Sequence, residues 1–166
     1  NGNPARSSCT TWPTYWAWLV RRSRTPFKDG ADLVTGSTHK TYPGPQRGII
    51  ASNMGPATFH RPLWERIERE VFPGDVSNHH LGTLLGLLGA SYEMLMFRDE
   101  YPPQVVRNAR AFAAALKDEG LNVAGDPSAG YTETHQVVLN VGKGRGAEIA
   151  KRLEESHIIT NYQALP

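Results

Sequence analysis

The sequence predicts a mixed α/β fold, and three patterns predict it. Two short apolar runs, around Leu33–Val34 and Ile49–Ile50, flank a turn rich in glycine and proline. Two longer segments, residues 61–71 and 79–97, place their apolar residues at helical spacing. After Gly120, short runs with strand character alternate with a helix-length segment.

The elements follow in order. Residues 31–35 read as a short buried strand and residues 48–52 as a second one after the turn. Residues 61–71 carry Leu63, Trp64, Ile67 and Val71 on one side and Glu65, Arg66, Glu68 and Arg69 on the other, an amphipathic helix with exposed charge pairs. Ser77 or Asn78 is expected to cap a long helix over residues 79–97. That helix is apolar nearly all round, with Gly82, Gly86 and Gly89 at near-helical spacing. Such a pattern predicts burial in a core, with a subunit interface as the alternative. Tyr101, Pro102 and Pro103 are expected to break the chain before an amphipathic helix over residues 104–119 that ends at Gly120. Beyond it, strands are expected at 121–124, 134–141 and 157–161, with a helix at 147–156. The basic turn Lys143-Gly144-Arg145-Gly146 before that helix matches neither a P-loop nor a dinucleotide fingerprint, and reads as exposed.

Composition narrows the function classes. The chain has 166 residues, room for one ordinary domain or pieces of two. Its 18 basic and 16 acidic residues are interspersed and leave a net charge of +2, which forms no stripe for nucleic acid or a membrane surface. One cysteine, Cys9, excludes a disulfide framework and suits a reducing compartment. No apolar run approaches the roughly 20 residues of a membrane span. The run from Trp12 to Val20 is too short for a signal sequence and lacks a small-residue cleavage site, so a cytoplasmic setting is expected.

One residue type stands out by position. Lys40 sits on the turn between the first two apolar runs. A solvated loop lysine is the simpler reading of that spacing. The alternative is a nucleophilic amine whose stem crosses an apolar wall, where desolvation frees the amine to attack a carbonyl.

The surrounding string decides between them by resemblance. T-G-S-T-H-K-T-Y-P-G-P-Q-R-G, residues 35–48, resembles the pyridoxal-phosphate lysine segment of the serine hydroxymethyltransferase family. V-F-P-G at residues 71–74, the A-R-A-F-A-A-A-L-K-D-E-G helix, T-H-Q-V-V-L-N-V at 134–141 and I-I-T-N-Y-Q-A-L-P at the end follow in family order. The resemblance implies part of a fold-type I transferase. Residues 26–98 would be the C-terminal part of the large cofactor domain, and residues 99–166 the connecting helix and a partial small domain. It implies pyridoxal 5'-phosphate held as a Schiff base on Lys40, His39 as a second catalytic residue, and Ser37 and Thr38 as hydroxyls around the cofactor. Arg47 matches a family arginine expected to be structural or near the site. Ser77 and Asn78 stand where the family has a glycine-rich loop that reaches a neighbouring subunit's cofactor phosphate. This is a departure from the family's pattern. The adjacent His79 and His80 lack further ligands at suitable spacing, so no metal is expected. The family's ring-stacking residue, phosphate loop and substrate-carboxylate arginine have no counterpart in this string.

The implied activity is aldol or retro-aldol transfer on glycine, serine or another β-hydroxy amino acid. Relatives of the threonine transaldolase type run the same chemistry with other aldehydes, and tetrahydrofolate is a possible but unsupported acceptor. An aminotransferase is the weaker alternative, and a catalytically inert piece of such an enzyme is the competing class. The implied partners are an amino-acid substrate and a second subunit in a homodimer.

Residues 1–25 depart from all of this. They contain no Asp or Glu and hold Trp12, Trp16 and Trp18. One codon choice for Ser8–Val20, read two bases on, gives M-Y-D-V-A-H-V-L-G-L-A-G. That string is similar to the family's D-x-A-H-x-x-G-L segment, whose Asp pairs with the ring nitrogen and so makes the ring an electron sink. The segment is therefore expected to be aberrant and out of frame.

Overall fold

The computed structural model describes residues 9–11, 26–28, 30–53 and 61–163. The chain forms two compact units that divide between Pro102 and Pro103.

The first unit holds a three-stranded sheet in the order β1 (Cys9–Thr11), β2 (Leu33–Ser37), β3 (Gly48–Ser52). β1 runs parallel to β2, with Cys9 opposite Leu33. β2 and β3 are antiparallel, from Leu33 opposite Ser52 to Ser37 opposite Gly48. β3 has the expected bounds, while β2 starts and ends later than expected and runs up to the lysine turn. β1 was not foreseen: residues 9–11 carry no strand period, and the pairing with β2 supplies what local pattern lacks. The remainder of the 1–25 segment, which carries most of the out-of-frame string, lies outside the described residues. Ala31, Val34 and Thr38 are buried in this unit.

Helix α1 (Arg61–Arg69) gives way to a wider turn over Glu70–Asp75, in which Phe72 and Pro73 leave helical geometry. The expected end at Val71 thus falls inside that turn. Pro73, which has no N–H to continue the helical ladder, accounts for it.

Helix α2 (Leu81–Phe97) differs from expectation in two respects. Its N-cap is His80, without a side-chain cap, instead of Ser77 or Asn78. The Asn78 carboxamide oxygen accepts from the His79 amide at 2.7 Å, so it is engaged outside the helix. The expected burial is also absent: only Ala90 and Met94 are buried, whereas Leu81, Leu85 and Met96 are 65%, 68% and 74% exposed. The described residues of this unit supply too little apolar surface to cover a helix that is apolar all round.

Helix α3 spans Tyr101–Asp118, beginning two residues before the second unit, and so includes the two prolines expected to break the chain. They occupy the first turn, where amides have no intrahelical acceptor and a fixed φ fits the helix. At the other end Gly120 adopts φ +82°, and the Leu121 amide donates to the Leu116 carbonyl at 3.0 Å, closing the helix with a left-handed cap. Ala109, Ala113 and Val123 form the buried core of this unit.

The expected strands after Gly120 shrink to one antiparallel bridge, Val123 opposite Leu139. Ala124 N donates to Val138 O and Asn140 N to Asn122 O, both at 2.8 Å. Gly125, at φ +115°, turns the chain away on one side. On the other strand, Thr132 Oγ1 accepts from Thr134 N and Thr134 Oγ1 from Gln136 N, at 3.0 and 3.2 Å. Hydroxyls that bond the backbone two residues on compete with a ladder, which is why residues 134–136 do not extend it. Residues 158–161 form no strand, and His157 before them has φ +63°. Helix α4 (Gly146–Glu155) sits one position earlier than expected.

Candidate active site

The Lys40 turn is the loop of residues 38–47 that joins β2 to β3, and its shape follows from a few bonds. Thr38 N donates to Arg47 O at 3.0 Å, which continues the β2–β3 pairing past Ser37 and Gly48. The Thr38 hydroxyl donates to Pro45 O at 2.7 Å, with Arg47 O a longer second acceptor at 3.3 Å. Thr38 is 6% exposed, so these bonds are shielded from water. Gly44 lies directly over the Thr38 carbonyl: a Cβ there would stand 2.6 Å from that oxygen. Only glycine permits that approach.

This clamp presents His39 and Lys40 outward, and both are exposed. The apolar wall anticipated around the Lys40 stem does not form among the described residues. Ser37 is different. Its Oγ is buried without a hydrogen-bond partner among the described residues. A buried hydroxyl left in that state costs about 1–3 kcal/mol, a deficit that a ligand oxygen can remove. Thr38, by contrast, has its proton engaged inside the loop and offers a ligand lone pairs alone.

The loop is also tied to α2. The Arg47 guanidinium donates to Thr83 Oγ1, from Nε at 3.0 Å, and to the His80 carbonyl. The Thr83 hydroxyl itself donates to His80 O at 2.9 Å. Arg47 therefore plays a structural part, holding the loop's end to the first turn of the helix. Further along, Tyr42 OH bonds Ser91 Oγ. Ser77 and Asn78 lie on the exposed stretch just before α2, whose last residue, His80, is the one Arg47 grips. The neighbouring His79 ring stacks on Phe72, with centroids 5.8 Å apart.

Thus Ser37, Thr38, His39 and Lys40 come together on one turn, and Ser77 and Asn78 belong to a second loop joined to it through Arg47. Tyr42, Thr83 and Ser91 were not singled out from sequence. Tyr42 stands two residues after Lys40, but nothing in the string pairs it with a serine far along the chain.

A strand–lysine loop–strand beside a long helix, within a mixed helix and strand chain, is compatible with the part of a fold-type I transferase that the resemblance implies. The comparisons with known proteins agree. The crystal structure of L-threonine transaldolase from Pseudomonas fluorescens in its internal aldimine state superimposes with a TM-score of 0.76 at 32% identity, over 92% of this chain and 34% of that one. The serine hydroxymethyltransferase profile matches residues 19–166. Serine hydroxymethyltransferase of Archaeoglobus fulgidus is 51% identical over 142 residues, and that of Staphylothermus marinus 47%, each alignment covering 85% of this chain and 31% of the relative. The chain belongs to the serine hydroxymethyltransferase family, and it spans about a third of the length of the curated relatives it matches.

Proposed function

We propose that the chain is part of a pyridoxal-phosphate enzyme that makes and breaks the Cα–Cβ bond of β-hydroxy amino acids, as a glycine hydroxymethyltransferase does. The observation that carries this reading is the family match across the lysine loop, with a buried Ser37 hydroxyl, unpartnered among the described residues, three positions before an exposed Lys40. The residues fit the cofactor on this side. Lys40 is the amine that would hold it covalently and Ser37 Oγ the hydroxyl available to one of its oxygens, while Ser77 and Asn78 are donors available to the cofactor phosphate of a neighbouring subunit. When bound, pyridoxal phosphate supplies an electron sink for a carbanion at Cα. His39, exposed beside the lysine, is the group available to take the proton from the β-hydroxyl as the aldehyde departs. Thr38, Gly44 and Arg47 hold the turn so that these groups keep their places.

The same reading carries a homodimeric, cytoplasmic enzyme acting on an amino acid. Residues 26–98 are its large-domain portion, and residues 99–166 the connecting helix and part of the small domain. Residues 1–28 hold no carboxylate to stand for the family's ring-nitrogen partner. Translation of residues 1–25 out of frame accounts for this. DNA sequencing across those codons decides the point, because a clean frame with unrelated codons removes the explanation.

The transaldolase resemblance in structure favours a second substrate assignment, cleavage of threonine with transfer to another aldehyde. The deciding experiment is incubation of the purified chain with pyridoxal phosphate, borohydride reduction and peptide mass analysis. An adduct on Lys40 that is lost in Lys40→Ala supports the reading. A chain that forms no adduct there is the inert piece. With an adduct in hand, comparing serine and threonine cleavage separates the two substrates.

A further inference from the structure

We propose that Tyr42 and Ser91 form a strap that positions Lys40. The inference rests on the assignment of Lys40 above and adds to it a pair of residues that act through the loop.

The direction of the bond can be worked out. Ser91 Oγ lies 2.7 Å from the Leu87 carbonyl, the acceptor one helical turn back, and a serine has one proton to give. Ser91 therefore donates to Leu87 O, and Tyr42 OH donates to Ser91 Oγ. The chain phenol–hydroxyl–carbonyl is ordered, with its far end on the backbone of α2. Ser91 thus holds its side chain against the helix before the tyrosine arrives, which makes it a fixed anchor.

Two ties then hold the loop to the same helix. Arg47 grips His80 O and Thr83 at the start of α2, while Tyr42 grips Ser91 farther on. At 1.5 Å per residue, Thr83 and Ser91 are about 12 Å apart along the axis. One tie leaves a loop free to pivot about it; two separated ties remove the pivot. The Tyr42 tie is the one next to Lys40 in sequence, with Thr41 alone between them. The inner side of the loop is fixed by Thr38, which precedes His39. Lys40 is consequently bracketed, by the Thr38 clamp on one side and the Tyr42 strap on the other. The Tyr42 ring also packs on Gly44, whose Cβ would stand 2.9 Å from its Cδ1 atom. Displacing the ring therefore disturbs the clamp itself.

The test uses the cofactor-free chain first. Lys40 acylation by a water-soluble amine reagent is followed by peptide mass analysis in wild type, Tyr42→Phe, Ser91→Ala, the double variant and Ser91→Thr. Each single variant is expected to change the Lys40 rate at least threefold and leave Lys28 and Lys143 unchanged. The double variant is expected to match the singles, and Ser91→Thr to restore the wild-type rate. An unchanged Lys40 rate in the single variants, or effects that multiply in the double variant, overturns the strap. A second readout titrates pyridoxal phosphate into each variant and follows the visible band of the Lys40 adduct. The strap predicts an affinity at least threefold weaker with the far-ultraviolet circular dichroism unchanged, and equal affinities count against it. If the wild-type adduct maps to another lysine, the assignment of Lys40 fails, while the acylation rates still judge the strap.

Discussion

Replacing Gly44 with alanine tests the geometry of the lysine loop most directly. The added Cβ would sit 2.6 Å from Thr38 O, 2.9 Å from Tyr42 Cδ1 and 3.1 Å from Tyr42 Cε1. The first contact is with backbone, and Thr38 itself is pinned by its amide to Arg47 O and by its hydroxyl to Pro45 O. The ring cannot swing aside without losing its bond to Ser91. Overpacking of this kind costs about 1–3 kcal/mol, and each clamp bond that opens costs about 1 kcal/mol more. A local destabilisation of about 2 kcal/mol speeds exchange through loop opening by about thirtyfold, since 1.4 kcal/mol is a factor of ten. Hydrogen exchange at the Thr38 amide, read by NMR or by mass analysis of peptides that begin before residue 36 and run through residue 48, is the assay. Gly89→Ala provides the control. Gly89 lies mid-helix in α2 with nothing within 4 Å of the new methyl, so the change should stabilise by about 0.5–1 kcal/mol through helix propensity. Unchanged protection of the Thr38 amide in Gly44→Ala would refute the reasoning.

Two further perturbations address the second unit. Gly125→Ala combines a backbone φ of +115° with a Cβ placed 2.1 Å from Tyr131 O, and should remove about 3 kcal/mol or more. Gly120→Ala, at φ +82° with nothing within 4 Å, should cost about 1 kcal/mol; equal urea midpoints for the two variants would contradict the clash. His135 is held below the ordinary histidine value of 6.5 because burial disfavours its charged form. The unfolded chain then binds a proton more readily, so the contribution of His135 is full above pH 6.5 and is lost as pH falls towards the depressed folded value. His135→Gln should flatten urea midpoints across that acidic window, and an unaltered slope would show that another group is responsible.

How legible the molecule was in its sequence depended on how local the cause was. β3 kept its expected bounds because glycine, isoleucine and serine at residues 48–52 carry their own strand pattern. α1 began, and α2 ended, at the expected residues for the same kind of reason. Local signals misled where a residue plays two parts. Pro102 and Pro103 can break a helix or open one, and position within α3 decides. Thr134 has good strand propensity, yet its hydroxyl and that of Thr132 capture nearby amides. β1 and the exposure of α2 depend on residues distant in sequence, which no window reveals.

The site was read unevenly as well. Resemblance picked out Ser37, Thr38, His39 and Lys40 as candidates, whereas the clamp made by Thr38 was not legible. Its acceptors are the carbonyls of Pro45 and Arg47, and a carbonyl has no letter in a sequence. The same is true of the His80 carbonyl held by Arg47.

The two outer ties of the lysine loop have a consequence in time. Arg47 waits for Thr83, 36 positions later, and Tyr42 waits for Ser91, 49 positions later. A nascent chain therefore emerges with its lysine turn already made but unmoored. The turn can be secured only when α2 has left the ribosome and coiled, because contacts of such long range carry the entropy of closing everything between them. Lys40 is thus made well before the residues that hold its loop in place.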